Sequence, residues 1–187
     1  DTAVGVVNDF QAGVLEFLKK VNTLDKRARF ALAAPLTKQN MHLRLMAATA
    51  SSPYWRSSST TQKTNLVKAF HRMSASSIVT LFNEYDGEVF RIWRSRKSLG
   101  PTVLVDSKIG NPKDQDPTEV TYVTAKIEGR WWIIDVIVAG GISCVQVRKH
   151  EFSAVLNRSG LDELISVLNT TADRLLSKKE ETVVRRK

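Results

Sequence analysis

The sequence predicts an α+β protein in which several helices are followed by four antiparallel strands and then by two more helices. Three observations predict it. Apolar residues recur at steps of three and four before residue 87 and again after residue 143, which is the stripe of amphipathic helices. Between these regions, four segments rich in β-branched and aromatic residues are separated by links containing Gly and Pro. Helices group with helices and strands with strands, which excludes an alternating α/β fold.

The first helix carries Val7, Phe10, Val14, Leu18 and Val21 on one face. A second covers about 24–36, where Pro35, having no N–H to donate, is expected to end it. Leu43, Met46 and Ala50 mark a shorter third. Ser51-Ser52-Pro53 breaks the pattern, and Tyr54-Trp55 fall in a turn. A long helix then runs over 60–85, striped by Leu66, Phe70, Met73, Ile78, Phe82 and Tyr85 and stopped by Gly87. Strands over 88–94, 102–109, 119–127 and 131–138 form a meander. Gly129 supplies the positive φ of a tight hairpin between the last two. Gly140-Gly141 end the sheet. Ser143, with Gln146 three residues on, has capping-box spacing and opens a helix whose apolar face is Phe152, Val155 and Leu156. Gly160 ends that helix, and a last one carries Leu161, Leu164, Leu168, Ala172 and Leu175. The charged tail 178–187 is expected to fray. One domain over 1–187 is expected: helical over 1–87, sheet over 88–139, C-terminal helices over 143–178.

In the fourth strand Trp131, Ile133 and Ile137 alternate with Trp132, Ile134, Val136 and Val138, so both faces are apolar. Such a sheet fits a solid sandwich with helices. It also fits a curved sheet with one face lining a cavity. Periodicity alone favours the solid sandwich.

Composition narrows the function classes. Of 187 residues, 42% are hydrophobic and 25% charged, a balance that excludes wholesale disorder. Lys and Arg number 28 against 19 Asp and Glu, a net charge of +9 that suits nucleic acid, an anionic membrane or an acidic partner. The longest apolar run, 131–142, is interrupted by Asp135 and two glycines and falls short of the roughly 18–20 residues that span a bilayer. The single cysteine, Cys144, excludes an internal disulfide. The chain opens on Asp1-Thr2-Ala3 with no apolar leader, as an exported product does once its signal peptide is removed.

Patterns for catalysis do not assemble. His42, His71 and His150 have no metal-ligand spacing, and Cys144 has no matching His and Asn signature. There is no G-x-S-x-G elbow and no phosphate-binding Gly loop. Asp135, set among apolar residues, suits hydrogen bonding to the next loop better than proton transfer. The basic run Arg91-Ile92-Trp93-Arg94-Ser95-Arg96-Lys97 admits three readings. It could bind a nucleic acid strand, guard a sheet edge, or meet anionic lipid head groups.

One stretch adds a family resemblance. Gly129-Arg130-Trp131-Trp132-Ile133-Ile134-Asp135-Val136 is followed by Gly140 and Ser143, then Arg148, Glu151-Phe152, Leu156, Gly160-Leu161-Asp162, Leu164-Ile165 and Leu168. This resembles the signature of the MlaC-type periplasmic lipid-binding family, the toluene-tolerance auxiliary proteins. Ser52-Pro53-Tyr54-Trp55-Arg56, Gln62, Phe70, Met73 and Tyr85-Asp86-Gly87-Glu88 are similar to the branch associated with hopanoid biosynthesis. Trp132 and Ala139-Gly140-Gly141 depart from the pattern.

The resemblance implies a curved four-stranded sheet wrapped by about six helices and enclosing an apolar cavity. It implies a periplasmic carrier of phospholipid or a hopanoid-like lipid, shuttling between an inner-membrane ABC transporter complex and an outer-membrane lipoprotein complex. No catalysis, cofactor, metal or nucleic-acid partner is expected from it, and a basic nucleic-acid-binding module is the alternative. The residues expected to line the cavity are Met73, Leu81, Phe82, Tyr85, Phe90, Ile92, Val103, Val105, Tyr122, Ile134 and Val136. Pocket and ordinary core are both open for each of them.

Overall fold

The helices start where a short polar side chain can accept an orphan N–H. Thr2 Oγ1 accepts from Gly5 N at 2.9 Å and opens α1 (Ala3–Leu18). Asp25 Oδ1 accepts from Ala28 N at 2.8 Å at the head of α2 (Lys26–Asn40). His42 Nδ1 accepts from Leu45 N at 3.1 Å and caps α3 (Leu43–Ala50). After the single turn α4 (Tyr54–Ser57), α5 (Thr60–Leu81) opens on a reciprocal capping box between Ser59 and Gln62. The computed structural model describes residues 1–138 and 140–177; the tail 178–187, expected to fray, lies outside them.

Two helix ends differ from the sequence reading. Pro35 does not end α2, which continues to Asn40. A helical proline removes one backbone bond, but side chains secure the turns around it. Thr37 Oγ1 donates to Ala34 O at 2.9 Å, Asn40 Nδ2 donates to Leu36 O at 2.9 Å, and His71 Nε2 of α5 lies 2.8 Å from Ala34 O. The second difference is that α5 stops at Leu81, short of Tyr85. Phe82 leaves the helix at φ −102° and ψ 70°, and its ring meets Phe90 edge-on at 6.4 Å.

The strands β1 (Val89–Lys97), β2 (Thr102–Gly110), β3 (Thr118–Ile127) and β4 (Arg130–Val138) form the expected antiparallel meander. Glu128 and Gly129 both take positive φ, 51° and 82°, as a two-residue primed hairpin turn requires. The sheet has five strands and not four, because β5 (Ile142–Ser143) pairs antiparallel with β4. The cause is local. Gly140 and Gly141 take φ of 83° and 80°, and Gly141 N donates to Val138 O at 3.1 Å, so the chain folds back along β4. A register shift in β4 makes Ile134 the extra residue of a bulge. Strict alternation therefore fails: Trp131 and Ile133 join Val136 and Val138 on one face, and Ile134 leaves it.

α1 lies across β1 to β4, while α5 stacks on α2, α3 and α6. α6 (Cys144–Ser177) is broken at Gly160, where φ 79° and ψ −172° lie in a region that is glycine's almost alone, and it thus forms two helical limbs. Phe152 on its first limb meets Phe70 of α5 edge-on at 6.3 Å within the core. Among the described residues no helix is long and apolar enough to cross a membrane.

Candidate lipid-binding site

Strand register defines the sheet's helix-covered face. Phe90 and Ile92 of β1, Val103, Val105 and Ser107 of β2, Val120, Tyr122 and Thr124 of β3, and Ile133 and Val136 of β4 share it. Phe10 of α1 meets Tyr122 edge-on at 6.0 Å, and Gln11 Nε2 donates to Ser107 Oγ at 2.8 Å in a buried setting. Burial pushes the Tyr122 hydroxyl up to about 12, against the pull of its hydrogen bond with Gln11.

That shift carries a pH prediction. The folded state resists forming a buried phenolate more than the unfolded chain does. The contribution is complete below the unfolded value of 10.0 and is lost as pH rises from there through about 12. The loss amounts to about 3 kcal/mol over that window. Urea unfolding followed across the alkaline range should show this decline, and Tyr122→Phe should flatten it. An equally steep decline in Tyr122→Phe would assign the effect to other groups.

The eleven expected site residues divide by depth. Met73, Val105 and Tyr122 are in the closed core, 0–3% exposed. Phe82, Tyr85, Phe90, Ile92, Val103 and Val136 are half-buried and pack against that core. Ile134, displaced by the bulge, is half-buried but stands apart from that cluster, and Leu81 is 72% exposed at the end of α5. Phe82 and Phe90 meet across the 82–88 segment that joins α5 to β1, and Leu81 ends α5 just before it.

Sequence reasoning missed Phe10, Gln11, Ser107 and Ile133. Phe10 lay on the stripe of the first helix, but nothing in the pattern showed that this helix would be the one across the sheet. Gln11 and Ser107 carry no pattern at all, because a pair 96 positions apart is visible only once the chain is folded.

The other singled-out groups are structural. Asp135 Oδ1 accepts from Val136 N at 2.8 Å and Val145 N at 3.0 Å, and its Oδ2 accepts from Ser143 Oγ. Ser143 Oγ in turn accepts from Gln146 N at 3.0 Å, so β4, β5 and the head of α6 are tied together. Burial and then the Asp135 carboxylate push the Cys144 thiol up, against the pull of Arg148, which keeps it protonated and poorly nucleophilic. In the basic strand, Arg94 and Arg96 donate through Nε to Asp106 Oδ2 at 2.8 and 3.2 Å.

Two grooves open to solvent elsewhere. One, of about 310 Å³, lies between α2, α3, α5 and β4 over Met41, Leu43, Val67 and Trp132. The other, of about 110 Å³, lies beside Arg91, Lys108 and the 110–117 loop.

Half-buried apolar residues at the edge of a helix-roofed sheet are suited to holding an apolar group. The chain belongs to the MlaC family: the model of the MlaC protein matches residues 8–170. Among solved structures it is similar to a phospholipid-binding protein from Ralstonia solanacearum, in complex with a phospholipid. That match has a TM-score of 0.70 at 18% identity and covers 91% of this chain and 94% of the other. No curated protein matches the chain.

Proposed function

We propose that the protein is a periplasmic carrier of a membrane lipid, either a phospholipid or a hopanoid-like lipid. The apolar cluster at the α5–β1 junction, read as a mouth, carries this reading. Leu81, 72% exposed, precedes Phe82, whose ring meets Phe90, and gives a lipid tail an apolar entrance next to the roofed sheet face. Family membership and the phospholipid-bound fold relative support it.

The core residues beyond the mouth are packed, so acyl chains enter by parting α1 from the sheet. The seam is suited to that. Gln11 and Ser107 interrupt an otherwise apolar contact, and both are polar groups that water or a head group can satisfy when the seam opens. The cavity so formed is lined by Met73, Val105, Tyr122, Val103 and Val136, and its entrance by Phe82, Tyr85, Phe90, Ile92 and Leu81, with Ile134 at its border. Each methylene transferred from water gains about 0.8 kcal/mol, so a covered lipid is held through its tails and needs no metal or cofactor. In this reading the protein exchanges its lipid with an inner-membrane ABC transporter complex and an outer-membrane lipoprotein complex.

The test is organic-solvent extraction of the protein purified from a bacterial envelope, followed by mass spectrometry. About one lipid molecule per chain is expected. Protein that reproducibly carries none, and takes up none from vesicles, would overturn the reading.

A further inference from the structure

The edge strand β1 and its hairpin with β2 present a surface that neither the core nor the apolar mouth uses. Trp93 is the extra residue of a bulge in β1 and is 51% exposed. It is held out by a built support. The Arg94 guanidinium lies 4.5 Å from its ring centre, and Arg94 Nε is fixed to Asp106 Oδ2 at 2.8 Å. Asp106 is itself buried and also accepts from Thr121 Oγ1 at 2.7 Å and Arg96 Nε at 3.2 Å. Burial alone would raise its pKa, but the bonds from Thr121, Arg94 and Arg96 hold it down, so the anchor is a carboxylate.

At the tip of the hairpin Leu99 is 95% exposed. The turn around it is ordered, with Ser98 N donating to Thr102 O at 3.0 Å and Thr102 Oγ1 to Leu99 O at 3.1 Å. The charges are one-sided. β1 contains Arg91, Arg94, Arg96 and Lys97 and no carboxylate. Arg91 stands directly across from Lys108, whose ammonium is paired with Glu119 Oε1 at 3.2 Å, so Arg91 is the cation of that row left to meet an external anion.

A propped tryptophan, an apolar hairpin tip and cations along one sheet edge match the chemistry of an anionic bilayer surface. Indole rings settle at the head-group level, and basic side chains reach lipid phosphates. We propose that β1 and the 98–101 turn are the face on which the protein rests against an anionic membrane, with Trp93 and Leu99 in the interface and Arg91 and Lys97 on phosphates. The proposal rests on the carrier reading: a carrier that docks this way brings the mouth at Phe90 and Leu81, at the start of the same strand, near its source of lipid.

The experiment is co-sedimentation of the full chain with vesicles of equal parts phosphatidylglycerol and phosphatidylcholine. Binding is expected to these and not to pure phosphatidylcholine, and to collapse in about 1 M salt, where the Debye length is ~3 Å. R91E/K97E should weaken binding about tenfold or more, given the contribution of each basic residue near an anionic surface. Arg91 and Lys97 are both exposed, so this variant keeps its fold. W93S/L99S, changed only at exposed positions, should weaken it about as much by removing the interfacial anchors. Brominated acyl chains should quench wild-type fluorescence more than that of W93F.

Unchanged binding in either double variant, equal binding to neutral vesicles, or equal quenching in W93F overturns the proposal. So does tighter binding to a single-stranded oligonucleotide that the same variants abolish. Protein that docks with these signatures yet carries no lipid and takes none up from the vesicles refutes the carrier reading and supports the strip, whereas lipid-loaded protein that ignores vesicles does the reverse.

Discussion

Phe90→Asp is expected to come out of a bacterial envelope with its co-purified lipid reduced at least about tenfold and its fold intact, each tenfold corresponding to about 1.4 kcal/mol of binding. Phe90 is half-buried on the edge strand, and its ring is held edge-on by Phe82 at 6.4 Å. In the empty protein an aspartate at this position reaches water, so the loss of stability is limited to the aromatic contact and part of the apolar area, about 1–2 kcal/mol. A lipid tail passing the mouth removes that water. Stripping a carboxylate without a partner costs several kcal/mol, more than the one or two methylenes nearest it supply. Phe90→Leu keeps an apolar surface of similar reach and should retain most of the lipid. The readout is lipid per chain by quantitative mass spectrometry, with thermal melts of both variants as the control for folding. A Phe90→Asp protein that still carries about one lipid per chain would place the entrance elsewhere.

The sequence made the secondary elements legible because most of them are local. Stripe spacing marked α1 and α5, and Gly129 marked the tight hairpin. The misreadings came from effects that tertiary contacts decide. Pro35 stays inside α2, where the neighbouring turn is held by Thr37 and by His71, which reaches the carbonyl of Ala34 from far along the chain. α5 ends at Leu81, and Phe82 instead sets its ring edge-on against Phe90 of β1. The fifth strand is two residues long, too short for any alternation to reveal, and exists because two glycines reverse the chain. The bulge at Ile134 exchanged the faces of half a strand, and period-two reasoning cannot place a bulge. For the candidate site, composition could nominate apolar residues but could not sort closed core from mouth. That sorting depends on where α1 crosses the sheet, and the Gln11–Ser107 pair that marks the seam has no sequence pattern.

A large loss of stability outside the apolar core is expected at Asp135. One carboxylate there receives a hydroxyl and two backbone N–H groups that come from three places: β4 itself, Ser143 of β5 and the head of α6. Hydrogen bonds to a charged acceptor contribute about 1.5–3 kcal/mol each, but the site is half-exposed, so water replaces part of what is removed. Asp135→Ala should therefore cost about 3 kcal/mol, lowering the melting midpoint by roughly 6–12 °C for a chain of this size. Asp135→Asn keeps one carbonyl acceptor and should lose about 1 kcal/mol, as should Ser143→Ala, which removes the cap on Gln146 N. Because Ser143 acts partly through Asp135, the double variant Asp135→Ala/Ser143→Ala should lose less than the sum of the two single changes. Strict additivity in thermal or urea unfolding would show that the two side chains act independently. The Gly140-Gly141 turn would then hold β5 to β4 by backbone conformation alone, with the carboxylate merely bordering it.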